Sequence, residues 1–144
     1  MKRYGSLKII VAGLALGLAL ILKINTGVVL AESYGDGDTI STAQTLNGTW
    51  GSGTLTVTGD IVIQAGVSIT VADHTTLLVV DGSSLQVDGD LHSDGPITFT
   101  TASSPPSPGA WDGITYANGS TGYLNLAIVE YAVHAVTLDT SNAI

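Results

Sequence analysis

Residues 88–95 read DGDLHSDG, which sets Asp88, Asp90, His92 and Asp94 at alternate positions. In an extended chain, alternate side chains share one face. Three readings fit that set. Carboxylates are the hard oxygen ligands that calcium takes, so Asp88, Asp90 and Asp94 form a candidate metal site. Its match to a helix–loop–helix calcium loop is partial, because position twelve counted from Asp90 is Thr101 rather than Glu. Two carboxylates with separated pKa values in a cleft would instead serve as acid and base. The third reading is a turn, with Asp folding onto nearby backbone amides beside Gly89 and Gly95. The Gly59-Asp60 pair has no acidic company, so Asp at such a corner does not by itself mean chemistry.

Other residue types point to weaker sites. Trp50, Trp111 and Tyr116 are candidate rings for stacking on sugars. His74 beside Asp73, and His134 near Tyr131, lack partners at metal-ligand spacing. No GxSxG elbow occurs, and Ser52 of Gly-Ser-Gly falls in a flexible stretch, which disfavours a nucleophilic hydrolase. Asn47-Gly-Thr and Asn118-Gly-Ser read as turns or as glycosylation acceptors. No catalytic residue is assigned at this level, and no cofactor is expected other than calcium.

The elements that position these residues are short strands. TLTVTGDIVI (54–63) alternates Thr with Leu, Val and Ile, and so do 67–71, 76–80, 84–88 and 96–100. Gly59, Gly66, Gly82, Gly89 and Gly95 punctuate them. Apolar pairs return about every eight residues, at Ile61/Ile63, Ile69/Val71, Leu77/Val79 and Leu85/Val87. Three such strands make a coil of roughly 20–25 residues, the range of stacked repeats. Stacked coils bury their inward Val, Leu and Ile in one continuous core. Residues 102–109, with three prolines, form a surface loop. Further strands are expected at Trp111–Tyr116, Tyr123–Val129 and Ala135–Leu138.

Both ends differ from this middle. Lys2, Arg3 and Lys8 precede an uncharged apolar run from Ile9 to Leu22, and Val29-Leu30-Ala31 offers a cleavage site. Residues 1–31 therefore read as a secretory signal helix, with membrane contact only through that segment if it stays uncut. The run is shorter than the roughly 20 residues a bilayer span needs. All four basic residues lie in this segment and all twelve acids follow it, so the net charge of −8 becomes −12 after cleavage. Such a surface repels nucleic acid and other polyanions. Zero cysteines leave a secreted chain without disulfide support. Residues 32–53, rich in Gly, Thr and Ser, read as an irregular entry or capping segment, with a short strand at 39–41 and Trp50 over the first core layer. No polar cap is evident at the far end. Self-association end to end, or a missing C-terminal region, is expected there.

The series GDIVIQAGVSITVADHTTLLV, SLQVDGDLHSDGPITFTTA, PGAWDGITY and LNLAIVEYAVHAVTL resembles secreted bacterial right-handed parallel β-helix repeat proteins of the pectate-lyase-like superfamily. The resemblance covers roughly residues 54–139. It implies an all-β, right-handed parallel β-helix, here of about three coils over 54–144. One departure falls at Asp73-His74, where the family's pattern has Pro-Gly. The lyases and polygalacturonases of that superfamily use basic residues in catalysis or substrate clamping, and residues 32–144 contain no Lys or Arg. The expected function is therefore a non-enzymatic surface or extracellular module for adhesion, or for glycan or envelope contact. Alternatives are a fragment of a carbohydrate-active enzyme with Asp90, Asp94 and Asp112 at its site, an ice-binding face built on threonine ladders, and a degenerate remnant.

Overall fold

In the computed structural model, residues 31–139 are described in full, together with the backbone of three short strands before them. The signal helix expected over residues 1–31 otherwise lies outside the described residues. Those three strands are β1 (Leu18–Ala19), β2 (Leu22–Ile24) and β3 (Gly27–Val29). β2 and β3 pair antiparallel, and β1 runs antiparallel to β4 (Glu32–Tyr34).

From β4 onward every pairing is parallel. The chain visits three sheets in strict rotation, which makes it a parallel β-solenoid. Sheet A stacks β4, β6 (Gly48–Trp50), β9 (Ser68–Val71), β12 (Asp90–Ser93) and β15 (Thr121–Tyr123). Sheet B stacks β5 (Thr39–Ile40), β7 (Gly53–Val57), β10 (Thr75–Val79), β13 (Ile97–Thr101) and β16 (Ala127–Val129). Sheet C stacks β8 (Ile61–Ile63), β11 (Ser84–Val87), β14 (Trp111–Tyr116) and β17 (Ala132–Leu138), and a Gln44–Ile63 bridge extends it to the first coil.

The described residues thus form about five coils, not three, and the stack begins at Glu32 rather than at residue 54. The first coil escapes the alternation test because it fills its inward slots with Tyr34, Ile40 and Gln44, all buried, and Trp50 of the second coil stacks on Tyr34. Gln44 is satisfied there. Its Nε2 donates to Tyr34 Oη and to Thr42 O, and its Oε1 accepts from Trp50 Nε1. A buried amide without such partners would be costly.

The period-two pattern decides the middle coils. Inward rows such as Leu55, Leu77 and Phe99 stack directly on one another, while their neighbours point out. Corners need special backbone. A Cβ on Gly89 would collide with the carbonyl oxygens of Val67 and Gln64. His74 takes φ +58 at the corner where the resembling family has glycine, and its N–H donates to Pro96 O. Histidine is among the residues more often found in that left-handed region.

The proline loop (102–109) is an insertion between β13 and β14 that leaves the pairing of β14 with β11 in continuous register. The strand expected over Tyr123–Val129 is instead two strands, β15 and β16, on two different sheets. Leu126, at φ +51, sits in the bend between them. β15, β16 and β17 are the last strands of their sheets among the described residues, and Leu126, Ile128, Val133 and Leu138 are exposed there.

Candidate functional site

DGDLHSDG straddles one corner and one strand. Asp88 precedes the Gly89 corner, and its Oδ1 accepts from Gln86 Nε2 at 2.7 Å. Asp90 and His92 lie on β12 and face outward from sheet A, while Leu91 and Ser93 point in and are buried. Asp94 lies past the end of β12, exposed, with no side-chain hydrogen bond among the described residues. Asp88 and Asp90 border one open groove, together with Gly66, Ser68, Gly119 and Thr121.

The three carboxylates expected to share calcium do not gather. Among the described residues, no three His, Cys, Asp or Glu side chains come close enough to hold a metal ion. The corner at Gly89 separates Asp88 from Asp90, and both Asp90 oxygens are already engaged. Ser68 Oγ donates to Oδ2 at 2.8 Å, Thr121 Oγ1 donates to Oδ1 at 3.0 Å, and His92 Nδ1 lies 2.9 Å from Oδ2. Ser68, Asp90 and Thr121 share one outward row on three successive rungs. Burial raises the Asp90 pKa, but the bonds from Ser68, His92 and Thr121 and the nearby imidazole outweigh it, so the net shift is downward.

The next outward row of sheet A runs Ser33, Thr49, Thr70, His92, Tyr123. His92 Nε2 lies 2.9 Å from Thr70 Oγ1, and its ring stacks on Tyr123 with centroids 5.3 Å apart. Periodicity placed Asp90 and His92 on one face. It could not find Thr70, which is 22 residues away from His92 and becomes its neighbour only through the length of a coil.

The aromatic candidates lie elsewhere than a sugar would need. Trp50 and Trp111 are both 0% exposed, so neither presents a ring face to a ligand. The Trp111 indole stacks on Phe99, and its Nε1 donates to Glu130 O. Tyr116 is half-buried, and its hydroxyl donates to Leu91 O at 3.1 Å. Its pKa is pushed up to about 12 by burial and by the Asp90 charge. Asp112 is exposed on β14, in sheet C, away from the outward rows of Asp90. Among the described residues the His74 side chain bonds only to Asp73, at 3.2 Å on an open corner, and His134 is exposed on the last coil.

Sheet B carries a second outward surface. One row is Thr54, Thr76, Thr98 and Ile128, and the other is Thr39, Thr56, Leu78 and Thr100. Six of those eight residues are Thr and none is charged. Thr100 Oγ1 donates to Glu130 Oε2 at 3.2 Å. The hydroxyls of Thr39, Thr54, Thr56, Thr76 and Thr98 have no hydrogen-bond partner among the described residues. Sheet B shows no register shift, whereas the β14–β17 pair of sheet C is shifted at Gly113/Ile114.

No protein-family model, curated protein or solved structure matches this chain.

Proposed function

We propose that this chain is an exported solenoid module that docks by its sheet B face on an uncharged extended partner, a neutral glycan or the cell envelope. One observation carries the reading: rows of Thr hydroxyls, five of them without a protein partner, on an uncharged sheet that keeps unbroken register. Hydroxyls and methyls repeating every rung, roughly 4.8 Å apart, suit a partner that itself repeats. The acidic surface, −12 after cleavage of residues 1–31, selects against polyanionic partners. Export rests on the basic and apolar start of the chain. A right-handed coil sense and a place in the pectate-lyase-like superfamily belong to the same reading. Parallel crossovers are right-handed in about 98% of cases.

Co-sedimentation with cell envelope and with insoluble neutral polysaccharides tests the proposal. Thr76→Lys with Thr98→Lys is expected to lower retention at least about tenfold, the effect of losing ~1.4 kcal/mol. No retention on any of these materials would overturn it. The same Thr rows favour a second reading, contact with ice, for which thermal hysteresis in the wild-type protein but not in the double variant is the test.

A further inference from the structure

Sheet A holds an arrangement that docking through sheet B does not use. β9 and β12 pair in register, so Thr70 stands beside His92 and Ser68 beside Asp90. Thr70 Oγ1 is 2.9 Å from His92 Nε2, and His92 Nδ1 is 2.9 Å from Asp90 Oδ2. With the carboxylate ionised, Nδ1–H donates to Asp90, and Nε2 is left to accept from the Thr70 hydroxyl. A hydroxyl within reach of an imidazole, with a carboxylate fixing its tautomer, is the arrangement that activates a weak nucleophile. We propose that Thr70 is a nucleophile with His92 as its general base and Asp90 as a positioning residue, acting on short acyl esters of uncharged alcohols.

The surroundings fit that assignment. Ser68 and Thr121 bind the Asp90 carboxylate from the rungs on either side, so it is held rather than mobile. Its depressed pKa keeps it ionised well below neutrality. Tyr123 stacks on the imidazole from the next coil. His92 and Asp90 retain 21% and 30% side-chain exposure, so a small ester can reach them. Thr49 stands next to Thr70 in the same outward row, exposed and with its hydroxyl unpartnered among the described residues. It can donate to the oxygen on which negative charge develops. The acidic surface disfavours anionic substrates.

The step balances without a cofactor. Thr70 Oγ1 bonds to the ester carbonyl carbon as its proton passes to His92 Nε2, and the carbonyl π pair moves to oxygen. Collapse of that adduct breaks the bond to the leaving alcohol, which takes the proton back from His92. Water, deprotonated by His92, then attacks the acyl-threonine, and the carboxylic acid and free Thr70 are released.

The experiment uses the purified protein and p-nitrophenyl acetate, with steady-state rates and mass-spectrometric mapping of the acetyl group. An acetyl adduct on Thr70 is expected. So is a loss of about 10²-fold in kcat/KM in His92→Ala, the usual contribution of a general base. Thr70→Val keeps the shape and β-branching of threonine and should lose both adduct and turnover, while Thr70→Ser should restore both. The proposal is overturned if folded Thr70→Val turns over at the wild-type rate. It is equally overturned if acetyl maps only to His74 or His134. Should Thr70→Val fail to give a β spectrum, the adduct map of the wild-type protein decides. Sheet B binding, measured in parallel, is independent of either result.

Discussion

Sheets A and B are built on one core and differ in what they do with their outward polar groups. On sheet A these groups bond to one another across rungs: Asn47 Oδ1 accepts from the Ser68 N–H, Ser68 and Thr121 bind Asp90, and His92 bridges Asp90 and Thr70. On sheet B five of the six outward threonines have hydroxyls without a hydrogen-bond partner among the described residues, and only Thr100 is tied, to Glu130. A satisfied network fixes geometry, which is what chemistry at a point needs. An unsatisfied, regular row leaves hydrogen-bonding capacity for a partner. The same solenoid therefore presents one face whose polar groups bond to one another and one whose hydrogen-bonding capacity is left open.

The largest expected effects test the shared core. Leu91→Ala beneath sheet A and Leu77→Ala beneath sheet B should each cost about 2–5 kcal/mol, since both side chains are fully buried. Urea unfolding should place the two within about 1 kcal/mol of each other, the scale of error for such comparisons. A much larger loss on one side would mean that the sheets differ beneath their surfaces as well.

Asp90→Ala comes next. It removes the acceptor for donors on three rungs, and the expected loss is about 1–3 kcal/mol by the same measurement. A neutral result would show that the ladder is ornamental and would erase the contrast.

Acid sharpens the same point. The folded pKa of Asp90 is depressed, so its contribution to stability is fully present above the unfolded value near 3.8. That contribution is lost as pH falls through the lower folded value. Thermal melts of the wild type and Asp90→Asn should therefore differ near neutral pH and converge at strongly acidic pH. Sheet B has no titratable residue in its two outward rows. Thr76→Val should leave the acid profile unchanged and shift stability by no more than about 0.5 kcal/mol, the smallest effect of the series.

Much of the scaffold was legible in the chain. Strands 67–71, 76–80, 84–88 and 96–100 follow from alternation, because each has one buried and one outward set of residues. The first coil does not, because Tyr34 and Gln44 fill inward slots that pattern reading reserves for aliphatics. The stretch 123–129 read as one strand because nothing local announces that Leu126 takes a left-handed bend. The tryptophans admit both a core and a sugar-stacking reading, and burial decides for the core. An aromatic in a Thr- and Gly-rich segment looks available, yet Trp50 and Trp111 are the largest fillers of a narrow core.

By itself the sequence determined the class of fold, the acidic charge balance and the placing of Asp90 with His92 on one face. Those follow from composition and from a two-residue period, both of which are local. The tertiary structure alone decided that Thr70 meets His92, that Asp88 and Asp94 stand apart from Asp90, and that the threonines of separate strands align into rows. Each of these depends on how many residues one coil consumes. That number is set by corners, bulges and insertions rather than by any side chain that takes part.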